Sequence, residues 1–86
     1  MPVYGYKKGS DSDLLELREV SFELGADALR QIARFLQLYA DQLDSGTWRS
    51  GHVHMDMFDP NWPAQHPEID IIICNQGSEP AKRNQT

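Results

Sequence analysis

The longest regular pattern in the chain is "ADALRQIARFLQLYADQL", in which Leu29, Ile32, Ala33, Leu36, Ala40 and Leu43 return at steps of three and four residues. That spacing gathers them on one side of an α-helix, while Arg30, Gln31, Arg34, Gln37 and Asp41 fall mostly elsewhere. Asp27 is placed to cap the first turn, and Gly46 to end the helix in the left-handed conformation. A helix from Asp27 to Leu43 is about 25 Å long. Phe35, Leu38 and Tyr39 widen its apolar stripe beyond what one small sheet can cover, which hints at a second contact surface.

On either side the period changes to two. In "REVSFELG" the apolar Val20, Phe22 and Leu24 alternate with Glu19, Ser21 and Glu23, the mark of a half-buried strand, and Gly25 closes it. From Trp48 to Met57 a second strand is expected, with Val53, Met55 and Met57 facing one way and Ser50, His52, His54 and Asp56 the other. A third, "EIDIIICN", loses its alternation at Ile71 to Cys74, as a strand covered on both faces does. Pro60, Pro63 and Pro67 each remove a ladder donor, so 58–67 reads as a loop, long for a hairpin and therefore a place to look for function. The Gly-, Pro- and Ser-containing stretch 1–13 reads as a flexible arm, in which the alternating Tyr4 and Tyr6 give a weak strand pattern. Residues 77–86 read as a solvated, flexible tail, leaving one domain at 14–76.

The order β-α-β-β predicts an α+β fold in two layers: a three-stranded mixed sheet of order 1-3-2, with the helix crossing right-handedly over one face. Val20, Phe22, Leu24, Val53, Met55, Met57, Ile69, Ile71 and Ile73 would lie beneath the helix. The other face would carry Glu19, Ser21, Glu23, His52, His54, Asp56, Asp70 and Cys74 around an apolar centre at Ile72. Such a bare face asks for a cover, either a second copy in a homodimer or another protein.

Composition narrows the classes. A chain of 86 residues is one domain with a small core. Its 13 acids against 8 bases give a net charge of −5, which argues against nucleic acid and favours a basic protein surface as partner. Cys74 is the lone cysteine, so no disulfide forms within the chain, and a free thiol suits the reducing cytoplasm. No run approaches the roughly 20 apolar residues of a membrane span, and no signal-peptide pattern opens the chain, so a soluble protein is expected.

The candidate chemistry lies in "GHVHMDMFDPNW". Imidazoles at alternate strand positions stand about 7 Å apart at the backbone and can converge on a zinc ion, with Asp56, Asp70, Glu23, Cys74 or His66 as further ligands. A hairpin centred on Pro63 sets His52 opposite Cys74; a slip of two residues sets His54 opposite Asp70. The competing reading makes both histidines polar strand residues bonded to nearby carboxylates. His52-x-His54-x-Asp56 resembles the metal motif of metallo-β-lactamase-like hydrolases, but the histidine that follows in that motif is absent. A Cys74–His52 dyad would sit among acids that disfavour the thiolate, so an enzyme is not expected. Trp62 either folds back over the helix end or serves as an exposed anchor, and Trp48 with Arg49 could form a second anchor.

Residues 17–75, from "LREVSFELGADALRQIARFLQLYADQL" through "GHVHMDMFDP" to "EIDIIICN", resemble small bacterial immunity-type proteins that neutralise polymorphic toxins. The shared feature is a strand, one amphipathic helix and a histidine-bearing hairpin. The resemblance implies a non-enzymatic inhibitor that binds a toxin through its sheet face or loops. The expected function is thus a non-catalytic protein-interaction module without a cofactor, contacting its partner through Trp48, His52, His54, Asp56, Trp62, Ile72 and the 58–67 loop, and forming a homodimer. The alternative is a small zinc-binding protein using His52 and His54.

Overall fold

The computed structural model describes residues 1–76, so the tail expected at 77–86 lies outside the described residues. Along them run β1 (Val3–Gly5), β2 (Leu15–Leu17), α1 (Ala26–Ser45), β3 (His52–His54), α2 (Met55–Phe58), α3 (Trp62–Gln65) and β4 (Ile72–Cys74). The fold is α+β, but the expected three-stranded sheet of order 1-3-2 does not form. Instead β1 pairs antiparallel with β2, and β3 antiparallel with β4, in two separate two-stranded sheets.

Helix α1 is the scaffold. It begins after Gly25 rather than at Asp27, with the Leu29 N–H donating to the Gly25 carbonyl at 3.1 Å. Asp27 sits in the first turn, where its charge suits the positive end of the helix, and accepts from Arg30 Nη1 at 3.3 Å. Gly46 ends the helix at φ 73°, in the left-handed region that glycine enters without cost, and its N–H reaches the carbonyls of Gln42 and Leu43. No basic residue occupies the last turn. Asp44 stands there, with Asp41 just before it, against the negative end of the dipole.

The bearing of α1 differs from the expected one. Ile32 and Phe35 are buried and Tyr39 partly so, whereas Leu29, Leu36 and Leu43 remain 58%, 45% and 50% exposed. The cause is aromatic. Phe35 meets Tyr39 edge-on at 5.5 Å and Phe58 at 5.8 Å, and Tyr39 continues to Trp48 at 5.2 Å. Each such ring buries about 150–250 Å², so the aromatic edge of the helix takes the core and the leucine edge faces solvent. Gln31 holds this orientation, its Nε2 donating to Asp59 Oδ2 at 2.8 Å and Gln65 Oε1 at 3.1 Å. The core is Ile32, Phe35, Trp48, Val53, Met55 and Trp62, edged by Leu24, Phe58, Ile71 and Ile73 among others.

The β3–β4 hairpin is shorter than its sequence pattern. Its register is centred on Val53↔Ile73, and one further bond extends it at each end: Met55 N–H to Ile71 O at 2.8 Å, and Asn75 N–H to Gly51 O at 2.7 Å. Beyond Met55 the chain coils into α2, with Asp59 N–H donating to Met55 O at 2.9 Å. This change of period turns Met57 out to solvent. On the other side, Ile69 donates to His66 O at 3.3 Å and accepts from Trp62 Nε1 at 2.9 Å, so it joins no ladder and is exposed.

A three-residue β4 offers too short an edge for the strand written in 19–24. That segment enters no ladder: Leu24 reaches the core, while Val20 and Phe22, expected beneath the helix, are 52% and 55% exposed. Pairing occurs instead at the N-terminus, where part of the expected arm forms β1 in register Val3↔Leu17, Tyr4↔Glu16 and Gly5↔Leu15. Gly5 allows close approach, since a Cβ there would lie 3.2 Å from Leu17 Cδ1. Lys8 Nζ ties this hairpin to Glu68 Oε1 at 3.0 Å, an exposed pair worth less than about 1 kcal/mol.

Phe35→Ala should lower stability by about 3–5 kcal/mol, enough to unfold much of a domain this small. The neighbouring Leu36→Ala should cost less than about 1 kcal/mol in dilute solution. Urea denaturation of both variants checks the bearing of the helix, which predicts this order and not the reverse.

Candidate functional site

The histidine hairpin is the first place to look for chemistry. In the ladder His52 opposes Cys74 and His54 opposes Ile72, the register centred on Pro63. The bonds at Gly51/Asn75 and Met55/Ile71 fix the parity, leaving His52/Cys74 and His54/Ile72 as pairs without mutual backbone bonds, whose side chains stand closer together. The two imidazoles meet edge-on with centroids 5.3 Å apart. His54 Nδ1 lies 2.7 Å from Asp70 Oδ2, so the carboxylate reaches it diagonally even in this register. The contact is an ion pair when the imidazole is protonated; with both side chains substantially exposed it is worth less than about 1 kcal/mol.

Imidazole and thiolate are the donors zinc prefers. Among the described residues, however, no three His, Cys, Asp or Glu side chains gather closely enough to hold an ion. Cys74 is a free, exposed thiol, and among the described residues no hydrogen bond joins it to an imidazole. His54 is thus engaged by a carboxylate, and the face carrying His52, Ile72 and Cys74 lies open to solvent. Asp56 lies apart on α2, lining a shallow recess of about 270 Å³ with His66, Glu68 and Asp70.

Both tryptophans belong to the interior. Trp48 Nε1 donates to Ser50 Oγ at 2.7 Å, and that hydroxyl donates to His52 O at 3.0 Å, which links the exit of α1 to β3. Trp62 is buried with its ring 4.1 Å from that of His66, and its bond to Ile69 O pins the 58–67 segment against the start of β4. Neither indole is available as an exposed anchor. The loop is itself partly helical, with Pro63 in the first turn of α3, where its missing N–H leaves no intrahelical bond unmade.

The larger apolar recess is one the sequence pattern had filled. An open groove of about 330 Å³ runs where strand 19–24 was expected to pack, with Val20, Phe22 and Leu24 on one side and Trp62, Ile69 and Ile71 opposite. Among the described residues the backbone N–H and C=O groups of 19–24 have no hydrogen-bond partner. The sequence carries half of the signal, a clean period-two segment at 19–24; the other half, a hairpin shortened by the α2 coil and by the bonds that hold Ile69 out of the ladder, is not visible in the periodicity.

Trp62→Phe should cost about 1–2 kcal/mol through loss of the buried indole bond, whereas His54→Ala or Asp70→Asn should cost less than about 1 kcal/mol. Urea midpoints of the three variants check this ranking. Against protein-family models, curated proteins and solved structures, the chain matches none.

Proposed function

We propose that the protein is a non-catalytic interaction module that takes up a segment of a partner protein by strand addition along residues 19–24. The observation carrying this reading is the conflict between pattern and pairing. Val20, Phe22 and Leu24 are spaced for a strand, yet the segment belongs to no ladder and borders an apolar groove. Unpaired, solvated backbone groups in such a segment form a template for another chain: main-chain bonds supply affinity, and alternate side chains entering a groove supply selectivity. Glu19 and Glu23, together with the net charge of −5, favour a partner strand with basic residues between its apolar ones.

An immunity-type inhibitor of a bacterial toxin is the narrower form of this reading. Its support is the order of a strand-patterned segment, an amphipathic helix and a histidine-bearing hairpin, with the binding surface moved from a sheet face to the 19–24 edge.

A peptide library with alternating apolar positions provides the test. Binding by members with basic intervening residues is expected, together with at least a tenfold loss in Phe22→Ser, whose exposed side chain can be removed without touching the core. No binding by any member, or equal binding by Phe22→Ser, would contradict the proposal.

A further inference from the structure

The outer face of α1 carries a second pattern that the strand-addition reading leaves unused. Leu29, Ala33, Leu36, Ala40 and Leu43 are all exposed and follow one another at steps of four, three, four and three residues. At about 100° per residue they fall within an arc of about 80° and run for about 21 Å along the helix. The stripe is almost palindromic about Leu36: Leu29 mirrors Leu43, and Ala33 mirrors Ala40 to within one residue. Leucines alternating with alanines give ridges with gaps between them, the relief that lets two helices approach to about 8–10 Å.

The charges beside the stripe have a direction. Arg30 and Arg34 lie on its polar flank in the N-terminal half, and Asp41 and Asp44 lie on that same flank in the C-terminal half. Within one chain this is the wrong way round, with positive charge towards the positive end of the dipole and negative charge at the negative end. Asp27 answers Arg30 in part, and Gln37 Nε2 donates to Asp41 at 3.0 Å, but among the described residues Arg34 and Asp44 have no ionic partner.

We infer that a second copy of this chain seats on α1, the two helices running antiparallel about a two-fold axis at Leu36. That operation stacks Leu29 of one copy on Leu43 of the other and brings the same polar flank of both helices together. Arg30 and Arg34 of each copy then face Asp41 and Asp44 of its mate, and each acidic C-terminal end lies beside a positive N-terminal end. A parallel pair would instead set the Arg30/Arg34 flank of one copy against the Ile32/Phe35 edge of the other, which is already spent on the core, and leave Asp41 and Asp44 without a partner across the contact. The surface is distinct from the 19–24 groove, so neither proposal depends on the other. A contact of this length is smaller than a standard protein interface, which makes the dimer concentration-dependent.

Sedimentation equilibrium of the full chain tests this. A monomer–dimer equilibrium is expected, with at least a tenfold weaker association in Leu36→Glu, in the Arg30→Asp/Arg34→Asp variant and in the Asp41→Arg/Asp44→Arg variant. Mixing the two charge variants should restore association. In a Cys74→Ser background, oxidation should cross-link Leu29→Cys only when mixed with Leu43→Cys, a readout that does not depend on the folding of Leu36→Glu. A monomer at every accessible concentration, a dimer unaffected by Leu36→Glu, or self-cross-linking of Leu29→Cys alone would overturn the inference. Dimerisation lost in Phe22→Ser but kept in Leu36→Glu would overturn it too, while assigning the contact to the 19–24 segment.

Discussion

The packing of Phe35 against Met55 and the rings around it is the constraint from which the rest of the structure follows. Both side chains are fully buried, and no other large side chain among the described residues is so completely enclosed. Once Phe35 points inward, Ile32 and Tyr39 follow it on the same helical edge, and Leu29, Leu36 and Leu43 must turn outward. Once Met55 is fixed beneath the helix, the chain has reached the end of its ladder and coils, which limits β3 to His52–His54. A small domain has no reserve of apolar area with which to satisfy both edges of its helix. The aromatic edge wins because its rings bury more surface per residue than leucines do.

The same choice distributes the surfaces that remain. The helix spends its core-forming edge on the β3–β4 hairpin and on Trp62, which leaves a leucine stripe on the outside and a groove beside 19–24. Hydrogen bonding reinforces the division. Trp62 Nε1 and the His66 carbonyl occupy the backbone groups of Ile69, and Ser50 bridges Trp48 to His52. The interior polar groups are thus answered locally, whereas the strand-patterned backbone of 19–24 is not. Among the described residues no helix is long and apolar enough to cross a membrane.

Much of this was legible in the sequence, though unevenly. The helix and its Gly46 stop follow directly from spacing and from the conformational freedom of glycine. The hairpin register centred on Pro63 was one of the pairings the prolines allowed, and the folded-back Trp62 was one of its two readings. What periodicity could not supply was which edge of a broadly apolar helix faces inward, because Leu36 and Phe35 are neighbours and both fit a stripe. Nor could it tell that Met55–Phe58 would coil: alternation at Val53, Met55 and Met57 continues a strand on paper, and only the closure of α2 breaks it. The three-stranded sheet failed for that reason, since the strands of the hairpin were counted at ten and eight residues where only three pair in each. The histidines were correctly placed on one face, but the partner of His54 is a carboxylate at the diagonal.

Residues 19–24 are written as a strand and left without a ladder. Backbone amide hydrogen exchange of the free protein, read residue by residue, tests this most directly. Val20 to Leu24 should exchange at rates close to those of an unstructured chain, while Val53, Met55 and Phe35 should be protected to nearly the global stability. Protection of Val20 to Leu24 comparable to that of Val53 would mean that the segment already has its strand partner and offers no edge to another chain.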